Sequence, residues 1–304
     1  MRSCSCWWGL AGLGTAAFHP RGMMTVSLLS GPRKGFGAAI FSTGGNLGFA
    51  IGPVLGGFLV LNLGLWATIW LILPGVLITL AVLYYKRDFQ KMDGARAKSG
   101  GGVGEGLPPI PWVQLGLICL VITFRTWVSM SCITYLPIFL QGQGVALEGA
   151  SLMLTGFLAF GAAAGLLGGH LSDSMGRKRV IIVTMLLYPV FASGMMLTSG
   201  PWLWFFVLAS GSTLMASFAV TVALAQDLLP RRLGLASGLT LGFGFGMGGV
   251  GVALSGRIAD WIGLHDTMWL LAFVPVLGVV VTSFIRSASR GVQGPRSKVQ
   301  GQGT

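Results

Sequence analysis

Long apolar runs dominate this sequence and predict its secondary structure. Nine stretches of about 20 residues or more are mostly apolar, and a helix needs about 20 such residues to cross the hydrocarbon core of a bilayer. The runs do not alternate polar and apolar residues, as the strands of a membrane barrel do. The pattern therefore predicts an all-α polytopic membrane protein with about nine transmembrane helices. The predicted spans are residues 5–29, 35–61, 65–85, 112–136, 150–169, 180–199, 201–225, 233–256 and 266–285.

Composition excludes the soluble classes of protein. Of the 304 residues, 53% are hydrophobic and 9% are charged, whereas an ordinary soluble domain is about 25% charged. So few charged residues cannot cover a normal water-facing surface. Soluble enzymes, nucleic-acid binders and secreted scaffolds are therefore excluded, and a lipid bilayer is the expected environment.

The basic residues indicate the orientation of the chain in the membrane. The formal net charge is +12, and most of the Lys and Arg residues follow the first, third, fifth, seventh and ninth runs. The opposite connections, near residues 62–64, 137–149 and 199–201, contain none. This alternation is the positive-inside pattern. It predicts a cell-membrane protein with a cytoplasmic carboxyl terminus, and it explains the positive charge without nucleic-acid binding.

The connection at 86–111 divides the chain into two groups of spans. It is charged, then rich in glycine, then rich in proline, which is typical of a flexible linker. We therefore expect a partial amino-terminal bundle of three spans over 1–85, a cytoplasmic linker over 86–111 and a complete six-helix bundle over 112–286. Residues 287–304 are polar and are expected to form a disordered cytoplasmic tail.

Two stretches of the chain resemble each other and suggest an internal repeat. Leu-Leu followed by a basic pair occurs at 28–34 and again at 228–232, and in each case the following run carries glycines at every fourth position. Residues four apart lie on one helix face, so both ladders predict close packing against a neighbouring helix. The ladders are Gly44, Gly48, Gly52 and Gly56 in the second run and Gly234, Gly238, Gly242 and Gly246 in the eighth.

The two similar junctions are six spans apart, which predicts a repeated six-helix unit and a twelve-helix plan. The second unit has six spans and the first has three. We therefore expect the chain to correspond to helices four to twelve of such a plan, without the first three.

Two motifs resemble the major facilitator superfamily. Gly48-x-x-x-Gly52-Pro53-x-x-Gly56-Gly57 is similar to the fifth-helix motif of its drug:proton antiporters. The segment at 169–178 is similar to the G-x-L-x-D-x-x-G-R-K loop that joins helices eight and nine of the family. That loop comprises Gly169, Asp173, Gly176, Arg177 and Lys178.

A branch of that superfamily, the fosmidomycin resistance proteins, gives a more specific resemblance. It rests on the sequences at 18–20, 41–48, 225–230 and 242–249, and it extends over about residues 9 to 286. The branch usually has an acid directly after His-Pro, where this chain has Arg21. The resemblance implies alternating access and proton-coupled efflux of a small drug-like molecule.

The resemblance also implies a role for Asp173. In the family this acid locks the cytoplasmic gate by contacting the amino terminus of a neighbouring helix, and a helix dipole stabilises a carboxylate there. We expect that helix to be the one that starts near Leu233. The alternative is a plain turn with solvated charges.

Polar side chains within the spans are further candidates, because polar groups at membrane depth are costly. His19 and Arg21 are predicted to face a central cavity, with His19 as a proton carrier; the alternative is a structural hydrogen bond beside Pro20. Arg125 could bind an anionic substrate, pair with an acid in the cavity, or extend to the membrane interface.

Three more polar residues have open roles. Asn46 could form a hydrogen bond in the cavity or join two helices. Gln226 and Asp227 lie at the end of the seventh run, where Asp227 could titrate during transport or pair with Arg231 or Arg232. At the opposite side, Arg257 and Asp260 are predicted to form a helical ion pair.

These observations support two functional hypotheses. The first is a proton-coupled exporter of a small molecule; the second is a membrane fragment of such a transporter that moves nothing. An enzyme is not supported, because the sequence has no H-E-x-x-H, no G-x-S-x-G and no paired carboxylates in a span. No motif indicates a cofactor or a metal site.

Overall fold

The computed structural model describes residues 14, 18–27, 29–31, 33–87 and 109–286. Most of the predicted linker at 86–111 and all of the predicted tail at 287–304 lie outside the described residues. So do the side chains of Asn46 and Pro53 and the surroundings of Gly57.

The described residues are helical and contain no strand. A short 3-10 helix, Leu65–Leu71, leads directly into the helix Ile72–Tyr84, and Ser217 separates the helix Pro201–Ala216 from the helix Phe218–Leu228. The helices are α1 (18–27), α2 (Lys34–Leu63), α3 (Ile72–Tyr84), α4 (Trp112–Gly142), α5 (Leu147–Met175), α6 (Arg177–Leu197), α7 (Pro201–Ala216), α8 (Phe218–Leu228), α9 (Leu233–Ile262) and α10 (Leu264–Phe284).

Seven helical segments in the described part of the chain are long and apolar enough to cross a membrane. The segments α7 and α8 form one of them, and the 3-10 helix with α3 forms another. Helix α2 coincides with the second predicted run and is about 45 Å long at 1.5 Å per residue. The first predicted run is described only in part. The prediction of an all-helical, multi-pass membrane protein is confirmed.

Two buried apolar clusters hold the helices together. One lies among α4, α5, α6, α7 and α10 and includes Phe157 and Tyr188. The other combines Met23 of α1 and Ala38 of α2 with residues of α4, α6, α8 and α9. Helices from before and after the linker therefore share a core.

The close helix contacts are not made by the predicted glycine ladders. A Cβ atom built on Gly44, Gly48, Gly52, Gly242 or Gly246 would have no described atom within 4 Å. Gly56, Gly234 and Gly238 would have ordinary contacts, at 3.6 Å or more. The ladder glycines therefore make no close helix contact among the described residues, and their role in helix packing stays a prediction.

A different glycine face of α9 packs against α4. A Cβ on Gly251 would lie 2.3 Å from the Trp127 ring, and one on Gly244 would lie 2.8 Å from Ile122. The Trp127 indole also donates a hydrogen bond to the Ser255 hydroxyl at 2.8 Å. The bulky α4 side chains determine which face of α9 must be small, and the spacing of glycines along α9 alone does not reveal that.

The predicted ion pair between Arg257 and Asp260 is also wrong. Among the described contacts, the Arg257 guanidinium lies 5.9 Å from the ring centroid of Trp261 and makes no salt bridge with an acid. Arg257 therefore makes a cation–π contact with Trp261, one helical turn further along the chain.

Candidate functional site

Asp173, near the end of α5, binds the amino terminus of α2. Its Oδ1 and Oδ2 atoms accept hydrogen bonds from the backbone N–H groups of Gly35 and Phe36, each at 3.0 Å. These two donors lie in the first turn of α2, where a helix has no internal acceptor for its N–H groups. We call this contact the Asp173 clamp. It stabilises the carboxylate through both hydrogen bonds and the helix dipole.

The predicted partner helix was wrong. We expected Asp173 to meet the helix that begins near Leu233, and the clamp instead holds α2, which begins at Lys34. The repeated junctions make the two helix starts similar in sequence. Only the tertiary packing of α5 against α2 decides between them.

Two glycines permit this contact. A Cβ on Gly35 would lie 2.5 Å from the Ser172 hydroxyl and 2.7 Å from Asp173 Oδ1. A Cβ on Gly169 would lie 2.5 Å from both the Ala39 Cβ and the Gly35 carbonyl oxygen. Larger residues at either position would therefore force α5 and α2 apart.

Arg177 joins the clamp to a third helix. Its Nη1 atom lies 3.3 Å from Asp173 Oδ1, and its Nε donates a hydrogen bond to Asp227 at the end of α8. The sequence did not suggest Arg177 as a partner of Asp227. Gly176, the single residue between α5 and α6, has φ +98°, a conformation that favours glycine and that places Arg177 beside Asp173.

Lys178 connects the same loop to the last helix. Its ammonium group donates hydrogen bonds to the carbonyl oxygens of Ser283 and Ile285, at 2.7 and 2.9 Å. A cation is favourable at a helix carboxyl terminus, where carbonyl groups lack internal partners. The residues of the 169–178 motif therefore fasten the junction between α5 and α6 to α2, α8 and α10.

A cavity lies among α1, α2, α4, α5, α7, α8 and α9. Its empty volume is about 650 Å³, which includes space that is open to the exterior. The wall is mostly apolar, and its polar members are His19, Ser42, Arg125, Thr126 and Ser129.

Arg125 is the charged residue of the cavity wall. Its side chain is only 3% exposed, so it does not extend to the membrane interface. Its Nε donates to the Leu214 carbonyl oxygen at 3.1 Å, its Nη2 lies 3.4 Å from the Met215 sulfur, and its guanidinium lies 4.4 Å from the Phe218 ring centroid. In the described part of the molecule no acid forms a salt bridge with it.

His19 and Arg21 do not meet in this cavity. The His19 ring lines it and makes edge contacts with Phe41 and Phe245, with centroids 6.0 and 5.7 Å apart. Arg21 is exposed and is not among the lining residues. Both residues were expected to face a central cavity; in the structure His19 lines this cavity and Arg21 does not.

Gln226 is not among the residues that line the cavity. Gln226 is fully buried, where its amide donates to the Ser237 hydroxyl at 2.9 Å, so it joins α8 to α9. Its Oε1 has no hydrogen-bond partner. The side chain of Asn46 lies outside the described residues.

Helix α2 connects the clamp to the cavity. Asp173 holds its first turn at Gly35, and Ser42 and Gly45, about two to three turns further along, line the cavity. At 1.5 Å per residue, about 10 Å separates Gly35 from Ser42 along the helix. A displacement of α2 would therefore change the clamp and the cavity together.

Sequence reasoning missed Gly35 and Ser42. Gly35 directly follows the basic pair before α2, and small residues at a helix start could have indicated an incoming carboxylate. Ser42 is an ordinary helix serine in sequence, and nothing distinguishes it until the fold places it in the cavity wall.

These features define a class of protein: a multi-pass helical membrane protein with a partly polar cavity between helices, which is the arrangement of secondary transporters. The sequence model of the Major Facilitator Superfamily matches residues 6–151 and 118–302. This chain belongs to that family of transporters.

Two relatives are similar to this chain over most of its length. The Fosmidomycin resistance protein of Escherichia coli (strain K12) is 32% identical over 276 residues, covering 89% of this chain and 68% of that protein. The Uncharacterized MFS-type transporter YfnC of Bacillus subtilis (strain 168) is 33% identical over 286 residues, covering 88% of this chain and 67% of that protein.

Proposed function

We propose that this chain acts as a proton-coupled secondary transporter that exports a small drug-like molecule across the plasma membrane by alternating access. Substrate binds in the cavity between the helices before and after the linker. The carboxyl terminus and the Asp173 clamp lie on the cytoplasmic side, in agreement with the distribution of basic residues.

The observation that carries this proposal is the location of the cavity. His19 and Ser42 come from helices before the linker, and Arg125 and Phe245 come from helices after it. A ligand bound between two helix groups is the arrangement that alternating access requires, because each group can then expose the ligand to one side. The similarity to the Fosmidomycin resistance protein of E. coli favours a drug as the transported molecule.

The clamp serves as the cytoplasmic gate in this proposal. Asp173 and Arg177 fasten α5 to α2 and α8, and release of these contacts would let the helix groups separate at this end. His19 lines the cavity and is the proposed proton carrier, because an imidazole can both accept and donate a proton.

An accumulation assay tests the proposal. The chain would be expressed in bacteria that lack their main efflux pumps, and cellular content of a panel of small drugs, fosmidomycin included, would be measured. We expect lower accumulation of at least one drug than with an empty vector. A protonophore should abolish the difference, because it removes the proton gradient.

The matched control is Asp173→Asn, which should insert to the same level and raise accumulation towards that of the empty vector. If the chain is correctly inserted and leaves the accumulation of every drug unchanged, the second hypothesis, a membrane fragment that transports nothing, is correct.

A further inference from the structure

The end of α10 is held by two side chains that come from different parts of the chain. Lys178, the second residue of α6, donates from its ammonium group to the carbonyl oxygens of Ser283 and Ile285 at 2.7 and 2.9 Å. Gln114, in the first turn of α4, accepts a hydrogen bond from the backbone N–H of Arg286 at 2.8 Å. We call this meeting point the α10 anchor.

The backbone leaves the helix at this point, which creates the group that Gln114 binds. Ile285 has φ −70° and ψ 124°, an extended conformation, so helical hydrogen bonding ends there. A backbone N–H beyond a helix end needs a partner outside the helix. The side-chain oxygen of Gln114 is that partner for Arg286.

Apolar packing joins the same three helices beside these hydrogen bonds. Ile285 is buried, in the cluster that contains Leu115 of α4 and Val180 of α6. Ile110, just before α4, packs against that cluster. Because closely packed groups transmit a displacement to their neighbours, the end of α10 and the starts of α4 and α6 are expected to move together.

The α10 anchor is adjacent in sequence to the Asp173 clamp. Arg177, which contacts both Asp173 and Asp227, directly precedes Lys178. Two consecutive residues at the start of α6 therefore fasten the clamp and the anchor. The position of the Lys178 acceptors at the end of α10 limits where the first turn of α6, and with it Arg177, can lie.

We infer that Gln114 is a positioning residue for the Asp173 clamp. It holds the end of α10 against the start of α4, and thereby fixes the carbonyl groups that bind Lys178. Gln114 does not line the cavity, so it acts through α10 and α6. The inference rests on the proposed function where it treats the clamp as the cytoplasmic gate. The gate is then joined to the start of α4, where the connection at 86–111 ends, and a pull on that connection would loosen the clamp.

Hydrogen–deuterium exchange of the full chain, purified in detergent, tests the inference without transport. Gln114→Met removes the acceptor and keeps the length of the side chain. We expect exchange in the peptide that contains Arg286 to rise about two- to tenfold, as for the loss of one ordinary hydrogen bond. Exchange at Gly35 and Phe36, in the clamp, should rise about twofold or more, which a purely local role of Gln114 would not cause.

Two control variants separate the lost acceptor from the substitution itself. Gln114→Glu keeps a side-chain oxygen for the Arg286 N–H and should retain protection at both places. Gln141→Met removes an exposed glutamine from the other end of α4, where its amide donates to the Pro137 carbonyl oxygen of the same helix, and should change neither. If Gln114→Met does not fold, Gln114→Asn, which is one methylene shorter, supplies the test.

Lys178→Met tests the route from the α10 anchor to the clamp. In that background Gln114→Met should still speed exchange at Arg286, but it should add nothing at the start of α2, because residues that act through one network have non-additive effects. The inference is overturned if Gln114→Met leaves exchange at Gly35 and Phe36 unchanged, or if its effect there is as large without Lys178 as with it.

The outcomes distinguish this inference from the proposed function. Exchange that is coupled between the α10 anchor and the clamp, in a chain that exports no drug, would refute the proposed function alone. Drug efflux by a chain in which Gln114→Met does not affect the clamp would refute the positioning role alone.

Discussion

Replacing Asp173 with asparagine tests the clamp, because the expected weakening can be estimated from the hydrogen bonds that are lost. The carboxylate accepts two backbone N–H groups at 3.0 Å, from Gly35 and Phe36. An asparagine has a single acceptor oxygen and no charge, so the variant loses one hydrogen bond and the interaction with the helix dipole.

The two losses have known magnitudes. A hydrogen bond to a charged group contributes about 1.5–3 kcal/mol, and a charge at a helix terminus contributes about 0.3–1 kcal/mol, or about 2 kcal/mol where partly buried. The Asp173 side chain is 14% exposed, so solvent screens the charge of its carboxylate only slightly. We therefore expect the clamp to weaken by about 2–3 kcal/mol, or about 30- to 150-fold in its opening equilibrium.

Hydrogen–deuterium exchange measures this opening directly. The amides of Gly35 and Phe36 exchange only when their hydrogen bonds open, so the peptide that contains them should exchange about 30- to 150-fold faster in Asp173→Asn. Glu148→Gln is the matched control, since it removes an exposed acid from the opposite end of the same helix. The reasoning is refuted if protection at the start of α2 is unchanged, or if the control loses it equally.

Further predictions follow from other contacts. Gly169→Ala should destabilise the folded chain by about 1–3 kcal/mol, because its Cβ would lie 2.5 Å from two α2 atoms. Gly242→Ala, with no described atom within 4 Å, should be neutral or stabilise the chain by up to about 1 kcal/mol. Thermal unfolding in detergent compares the two variants, and equal stabilities would contradict this packing. Arg177→Gln removes the cation between Asp173 and Asp227 and should increase amide exchange in the last turn of α8, and unchanged exchange there would show that Arg177 does not hold this helix. Lys178→Met should increase amide exchange at the end of α10, since the carbonyl groups of Ser283 and Ile285 lose a donor. Unchanged exchange at that helix end would argue against this role.

Local sequence features predicted the class of fold well. The lengths of the apolar runs are set by bilayer thickness, so the helical, multi-pass membrane protein followed from the sequence alone, and membership of the superfamily followed from short motifs such as that at 169–178. These features are local, and each can be recognised without knowing which helices touch.

Partners between distant helices could not be predicted in the same way. Asp173 was correctly expected at a helix amino terminus, but the sequence contains two similar junctions, and packing selects the one at Lys34. Likewise Asp227 pairs with Arg177, fifty residues away. Both outcomes depend on tertiary packing.

The glycine ladders illustrate the same limit. Spacing of four places Gly242 and Gly246 on one face of α9, but the crowded face contains Gly244 and Gly251 because Ile122 and Trp127 lie opposite. Which face must be small depends on the neighbour, and the sequence of one helix does not contain that information.

The central claim is that the cavity is exposed alternately to the two sides of the membrane under control of the clamp. Ser42→Cys, in a chain whose native cysteines are replaced, places a thiol in the cavity wall. Its reaction with a membrane-impermeant thiol reagent would be measured separately from each side of sealed vesicles.

With the clamp intact we predict labelling from the outside and little from the cytoplasmic side. Adding Asp173→Asn should increase cytoplasmic labelling by about tenfold or more, since the weakened clamp opens more often. Equal labelling from both sides with the clamp intact, or cytoplasmic labelling unchanged by Asp173→Asn, would contradict the account.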